Sequence, residues 1–139
     1  PDFAPAWMNR GLAFARLRHF PEARDDYDRA VALDPKLSEA YFQRAEMREQ
    51  LGDLAGAVED YTRALGTGTA PARVYFKRAA AKFRMKDFNG ARADRDAGFR
   101  VPPADELSWV ARAENRLKFD RAPEAALADV EEALKVNPW

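Results

Sequence analysis

The 139-residue chain has no cysteine and no isoleucine, one histidine and only two serines. Without cysteine it has no disulfide, no thiol nucleophile and no thiolate metal ligand, so nothing marks a redox compartment. Its Lys+Arg count of 23 cancels its Asp+Glu count of 23. No overall field therefore draws in nucleic acid or anionic lipid, and electrostatic recognition has to be local. No apolar run approaches the ~18 residues of a membrane span. Neither nucleic acid nor an inserted membrane is an expected partner. The chain starts at Pro1 and shows no signal peptide. The compartment stays open, with cytoplasmic as the expectation and periplasmic or secreted as the alternatives. The length suits one domain.

Catalytic chemistry is equally scarce. His19 falls in a turn between two expected helices, where a solvated residue is the plain reading. Ser38 and Ser108 stand at expected helix starts without the partner of a full capping box, and fit simple N-caps. Gly66-Thr67-Gly68-Thr69 lacks the Gly-Lys-Ser/Thr of a phosphate loop and joins helix to helix, so it is a helix stop and linker. Asp25-Asp26-x-Asp28 lacks the glycine and distal glutamate of a calcium loop. No catalytic residue, metal or cofactor is expected, and the chain is not expected to be an enzyme.

What the sequence has is a period of 34 residues. Trp7, Tyr41, Tyr75 and Trp109 fall on it, as do Arg10, Arg44, Arg78 and Arg112, each followed by Gly or Ala. Ala23, Ala57 and Ala91 match, and so do Ala30, Ala64 and Gly98. In the fourth unit the register slips by one, to Ala126 and Ala133, which places an extra residue within 119–123. Each unit carries two amphipathic stripes, such as Trp7, Gly11, Phe14 and Leu17, then Ala23, Tyr27, Ala30 and Val31. Pro21 and Pro35 punctuate them. The pattern predicts one all-α domain, residues 1–139, with repeats at about 4–37, 38–71, 72–105 and 106–139. Its eight helices are expected near 5–18, 21–33, 38–51, 54–66, 72–86, 88–100, 106–118 and 123–136.

The pattern Trp7-x2-Arg10-Gly11-x2-Phe14, then Ala23-x3-Tyr27-x2-Ala30-x4-Pro35, resembles the tetratricopeptide repeat. Arginine stands at Arg10 where the family favours leucine, and Arg95 stands where Tyr27 and Tyr61 sit. The resemblance implies a right-handed α-solenoid of four helix-turn-helix repeats, whose first helices line a concave groove that commonly binds peptides. It implies groove positions at Met8, Phe42, Phe76 and Val110, extended by Leu12, Phe83 and Leu117. This column either presents an apolar ladder or packs partly against its neighbours. Arg73, Lys77 and Arg84 share one face of the third unit's first helix. They form either an anion site or surface ion pairs with Glu39, Glu46 and Glu49. Some family members clamp a peptide carboxylate with lysine, asparagine and arginine. The matching positions here hold Met8, Leu12, Gln43, Arg73 and Lys77, and Met8 and Leu12 cannot hydrogen-bond a carboxylate.

The recurring arginines lie in a largely apolar column, where an unpaired charge is costly. Asp26, Asp60 and Asp94 follow sixteen residues later and Asp129 seventeen later, so Arg10–Asp26, Arg44–Asp60, Arg78–Asp94 and Arg112–Asp129 are the expected structural ion pairs. The expected function is a protein-interaction module that takes a peptide in its groove. The alternative is a structural spacer within a larger assembly. The fourth unit's second helix, with Ala126, Val130 and Leu134, is expected either to self-associate or to be covered by Trp139.

Overall fold

The computed structural model describes residues 2–138. Eight α-helices follow one another: α1 (Ala4–Arg16), α2 (Phe20–Leu33), α3 (Ser38–Gln50), α4 (Leu54–Gly66), α5 (Arg73–Arg84), α6 (Phe88–Arg100), α7 (Glu106–Asn115) and α8 (Pro123–Val136). No strand occurs among the described residues. The fold is an all-α solenoid of four helical hairpins. Helix ends lie within two residues of expectation except at α7, which stops at Asn115 and continues as a π-helical segment, Arg116–Asp120.

The hairpin turns share one device. Arg18, Gly52, Lys86 and Arg121 adopt left-handed backbone, with φ of 63°, 84°, 65° and 51°. After each, an amide reaches back to close the helix. His19 N–H donates to Phe14 O at 2.9 Å, Asp53 to Arg48 at 2.8 Å, and Asp87 to Lys82 at 2.9 Å. In the fourth hairpin Ala122 reaches one residue further, to Arg116 O at 3.2 Å. The inserted residue therefore lies nearer the helix than the turn, absorbed by widening the last coils of the first helix into a π-turn.

Aspartates, not serines, cap α4, α6 and α7. Asp53, Asp87 and Asp105 accept the backbone N–H of Gly56, Gly90 and Ser108 at 2.9 Å each. Ser38 is inside α3 and donates to Ala64 O at 3.2 Å. Ser108 is buried and gives its hydroxyl to Asp105 at 2.7 Å. A Cβ on Gly56 or Gly90 would stand 2.1 Å from Oδ2, the second oxygen of the capping carboxylate. Gly56→Ala is expected to gain helix propensity yet lose the cap, each about 1 kcal/mol, leaving stability in urea nearly unchanged.

The chain divides into two compact units, residues 1–70 with 84–86, and residues 71–83 with 87–139. In the first, α1 packs on α2, α2 on α3 and α3 on α4. Its core is Ala23, Ala30, Ala57 and Ala64 with Tyr27 and Tyr61, all fully buried. The small side chains let backbones approach, and the tyrosines fill what remains. Gly11 lies so close to Tyr27 that a Cβ there would come within 2.8 Å of the ring. In the second unit Ala79, Ala81, Ala91, Ala113, Ala126 and Ala133 are buried. Leu127, Val130 and Leu134 line an exposed face of α8, while Ala126 points inward. The cover expected from Trp139 lies outside the described residues.

Candidate functional site

Each hairpin carries an arginine on its first helix and an aspartate on its second, and the two meet. Arg10 donates through Nε and Nη2 to Asp26 at 2.7 and 2.6 Å. Arg44 does the same to Asp60 at 2.8 and 2.6 Å, and Arg78 to Asp94 at 2.8 and 2.6 Å. These are two-pronged, charge-assisted contacts. The guanidinium also lies over the aromatic anchor three residues earlier, at 4.6 Å from Trp7 for Arg10 and 5.5 Å from Tyr41 for Arg44. A second cation one turn on completes three of the four clusters. Arg48 reaches Asp60 at 3.3 Å, Lys82 reaches Asp94 at 2.9 Å, and Arg116 reaches Asp129 at 2.8 Å. Arg48, Lys82 and Arg116 also fall on the 34-residue period, a signal present in the sequence. In the first repeat the column holds Phe14, and Arg10 is largely exposed.

The inserted residue loosens the fourth cluster. Arg112 Nε stands 3.6 Å from Asp129, and the two-pronged geometry is lost. Burial pushes the Asp129 carboxyl above its ordinary range, partly offset by Arg116 and Arg112. In the second repeat Arg44 is held charged by its hydrogen bonds to Asp60 and Asp28, against the effect of its burial.

The groove positions separate into two kinds. Phe42 and Phe76 are 4% and 3% exposed, so neither is an open rung of a ladder. Phe42 packs on Tyr61 with ring centroids 5.8 Å apart, and Phe76 meets Phe99 edge-on at 5.2 Å. Met8 and Val110 are half-buried. Leu12, Phe83 and Leu117 are exposed. Gln43 gives its amide to Glu39 at 2.7 Å. Of the three cations expected to share one face of α5, Arg73 bridges to Asp105 at 3.1 Å and Arg84 to Glu49 at 2.8 Å. Lys77 is exposed.

Lys77 borders a hollow of about 190 Å³ between α5 and α7 in the second unit, lined also by Phe76, Ala80, Ala111, Glu114, Asn115, Lys118 and Phe119. Alanines keep it open and Phe76 forms part of its floor. Asn115 is anchored by its amide to Ala111 O at 3.0 Å. Lys118 is exposed at the rim, with its ammonium 5.3 Å from the Phe119 ring. From the fourth repeat the sequence pointed to Val110 and Leu117, but Lys118 and Phe119 line the hollow instead, both within the π-helical segment. The hollow offers one apolar contact between two cations. Among the described residues no His, Asp or Glu cluster suits a metal ion, and no helix is long and apolar enough to cross a membrane.

Residues 4–37 and 38–67 match family models of the tetratricopeptide repeat. The first two hairpins belong to the tetratricopeptide repeat family. A search of curated proteins gives no match. Solved structures similar to this chain include MamA, at 16% identity and a TM-score of 0.70, covering 99% of this chain and 80% of that one. Cut9 with Hcn1 from the APC/C is similar at 17% identity and a TM-score of 0.77 over 97% of this chain. The chain spans only 26% of that larger one. The first repeat domain of Spaghetti (RPAP3), solved with the HSP90 peptide SRMEEVD, is similar at 23% identity and a TM-score of 0.70, over 90% and 93% of the two chains. At such identities these likenesses concern the fold. Neither matched model describes a catalytic family.

Proposed function

We propose that the chain is a protein-interaction module, and that one peptide contact site is the hollow between α5 and α7. The observation that carries this reading is the 190 Å³ concavity with Lys77 and Lys118 on its rim. One apolar side chain of the peptide enters over Phe76, Ala80, Ala111 and Phe119, and a neighbouring acidic group meets the lysines. Burial of the apolar side chain supplies most of the affinity, at ~25 cal/mol per Å² removed from water, less the ordering of the peptide. The lysines set direction and on-rate, and Glu114 disfavours a second acid beside the first. The peptide-bound Spaghetti domain, a similar fold with an acidic ligand, supports the reading by analogy.

The test is a peptide array on the intact chain, followed by Lys77→Glu with Lys118→Glu. The double reversal is expected to weaken selected acidic peptides by tenfold or more, mainly through slower association, and to flatten the salt dependence. Circular dichroism should stay unchanged, because both lysines are exposed. Equal binding by parent and variant would remove the site.

A second reading, a spacer that assembles through its helices, is favoured by the exposed Leu127, Val130 and Leu134 of α8. On that reading sedimentation should show concentration-dependent association that Leu134→Glu abolishes. A monomer at all concentrations would exclude it for this chain.

A further inference from the structure

Tyr27 and Tyr61 occupy the same column one repeat apart, and both are fully buried. Their hydroxyls fare differently. Tyr61 donates to Glu49 Oε1 at 2.6 Å, and the other oxygen of Glu49 accepts from Arg84 Nη1 at 2.8 Å. One period earlier, Glu49 becomes Ala15 and Arg84 becomes Gln50. The Tyr27 hydroxyl has no hydrogen-bond partner among the described residues. Its ring lies against Gly11, where a Cβ would stand 2.8 Å from Cε1 and 3.1 Å from Cζ. Ala15, at the position of Glu49, belongs to the cluster around that ring. Ala15 lines a hollow of about 370 Å³ together with Arg18, Phe20, Glu46, Met47 and Gln50. Ala15, Phe20 and Met47 belong to the same apolar cluster as Tyr27.

We propose that this hollow binds the carboxylate side chain of an aspartate or glutamate from a partner peptide, in the place that Glu49 fills beside Tyr61. Arg18 and Gln50 are donors on the lining, and Tyr27 lies behind it, packed with the lining residues Ala15, Phe20 and Met47. On this proposal all three serve the carboxylate. Tyr27 offers its hydroxyl, Gln50 its amide from the position of Arg84, and Arg18 its guanidinium from the exposed turn. Phe20 and Met47 flank the methylenes of the incoming side chain. The proposal requires that Met47, Gln50 or Arg18 rotate to open the way to the buried hydroxyl. Glu46 is the one acid on the lining, so the site takes a single carboxylate and not an acidic pair. Burial first, then Glu46, Glu39 and Asp26, push the Tyr27 phenol up to about 12, so it stays a donor at neutral pH. The proposal uses none of the residues of the α5–α7 hollow, and either can fail alone.

The test follows the Gln50 side-chain amide of the intact chain by NMR. Sodium propionate, a glutamate side chain cut at its backbone end, is titrated at constant ionic strength against neutral propionamide. Propionate should shift the resonance saturably and propionamide should not. Tyr27→Phe should weaken propionate on the order of tenfold, the loss expected for a hydrogen bond to a charged acceptor, while raising the thermal midpoint by removing an unpaired buried hydroxyl. Ala15→Glu, which installs the carboxylate in the chain itself, should abolish the titration. Equal response to propionamide, unsaturable drift, or unchanged affinity in Tyr27→Phe would overturn the proposal.

Discussion

Asp60→Asn is expected to destabilise the chain by about 3 kcal/mol, toward the lower end of what breaking a buried ion pair costs. Asp60 is fully buried and holds two guanidiniums, Arg44 at 2.6 Å and Arg48 at 3.3 Å. An amide in its place removes the countercharge and turns an N–H₂ toward donors. Arg44 keeps Asp28 at 2.7 Å, which is why the loss does not reach the upper end. Urea denaturation and a thermal midpoint lower by on the order of 10 °C would register the effect. Asp26→Asn should cost less, because its partner Arg10 is mostly in water. Asp129→Asn should also cost less, because burial already disfavours that charge and the contact with Arg112 is long. Replacing the whole second cluster, with Arg44→Met, Arg48→Met and Asp60→Leu together, should cost less than Asp60→Asn alone. Equal losses for all three aspartates would mean that burial does not set the strength of these pairs.

The period made the helices legible, because eight amphipathic stripes bounded by proline and glycine leave little freedom in where each begins. Sixteen residues is the step from one helix over a tight turn to the facing side of the next, so arginine and aspartate columns can be matched on paper. The direction of the remaining side chains was harder. Phe42 and Leu12 both belong to first helices, yet one is buried and the other exposed, because exposure depends on which neighbouring helix covers that face. Long cations were harder still. Arg73 and Arg84 share a helix face with Lys77, but each finds an acid more than thirty residues away, Asp105 and Glu49. The single inserted residue of the fourth repeat was visible as a slip. Its conversion into a π-turn that carries Lys118 and Phe119 to the hollow follows from backbone closure, which no residue identity announces.

Phe76→Ala is expected to cost about 3–5 kcal/mol, the range for removing a buried aromatic, and so cannot serve as a probe of peptide binding. The reason lies in what its neighbours are. In the second repeat Phe42 rests on Tyr61, and a buried alanine, Ala64, stands one period before Gly98. In the third repeat Arg95 replaces that tyrosine and turns to Asp120 at 2.6 Å and to the Phe119 ring at 4.5 Å. Phe76 turns to Phe99 instead and closes over α6, where Gly98 replaces the alanine. A Cβ on Gly98 would stand 2.9 Å from Phe76 Cε1 and 3.1 Å from Tyr75 Cβ, so the glycine is there to admit the ring. Gly98→Leu should therefore destabilise by about 1–3 kcal/mol through overpacking, in spite of its better helix propensity. Pairing it with Phe76→Ala should recover part of the combined loss, because the leucine fills space the ring has left. Urea midpoints for the two single variants and the double variant measure this coupling. Strictly additive losses would show that Gly98 and Phe76 do not share one packing site.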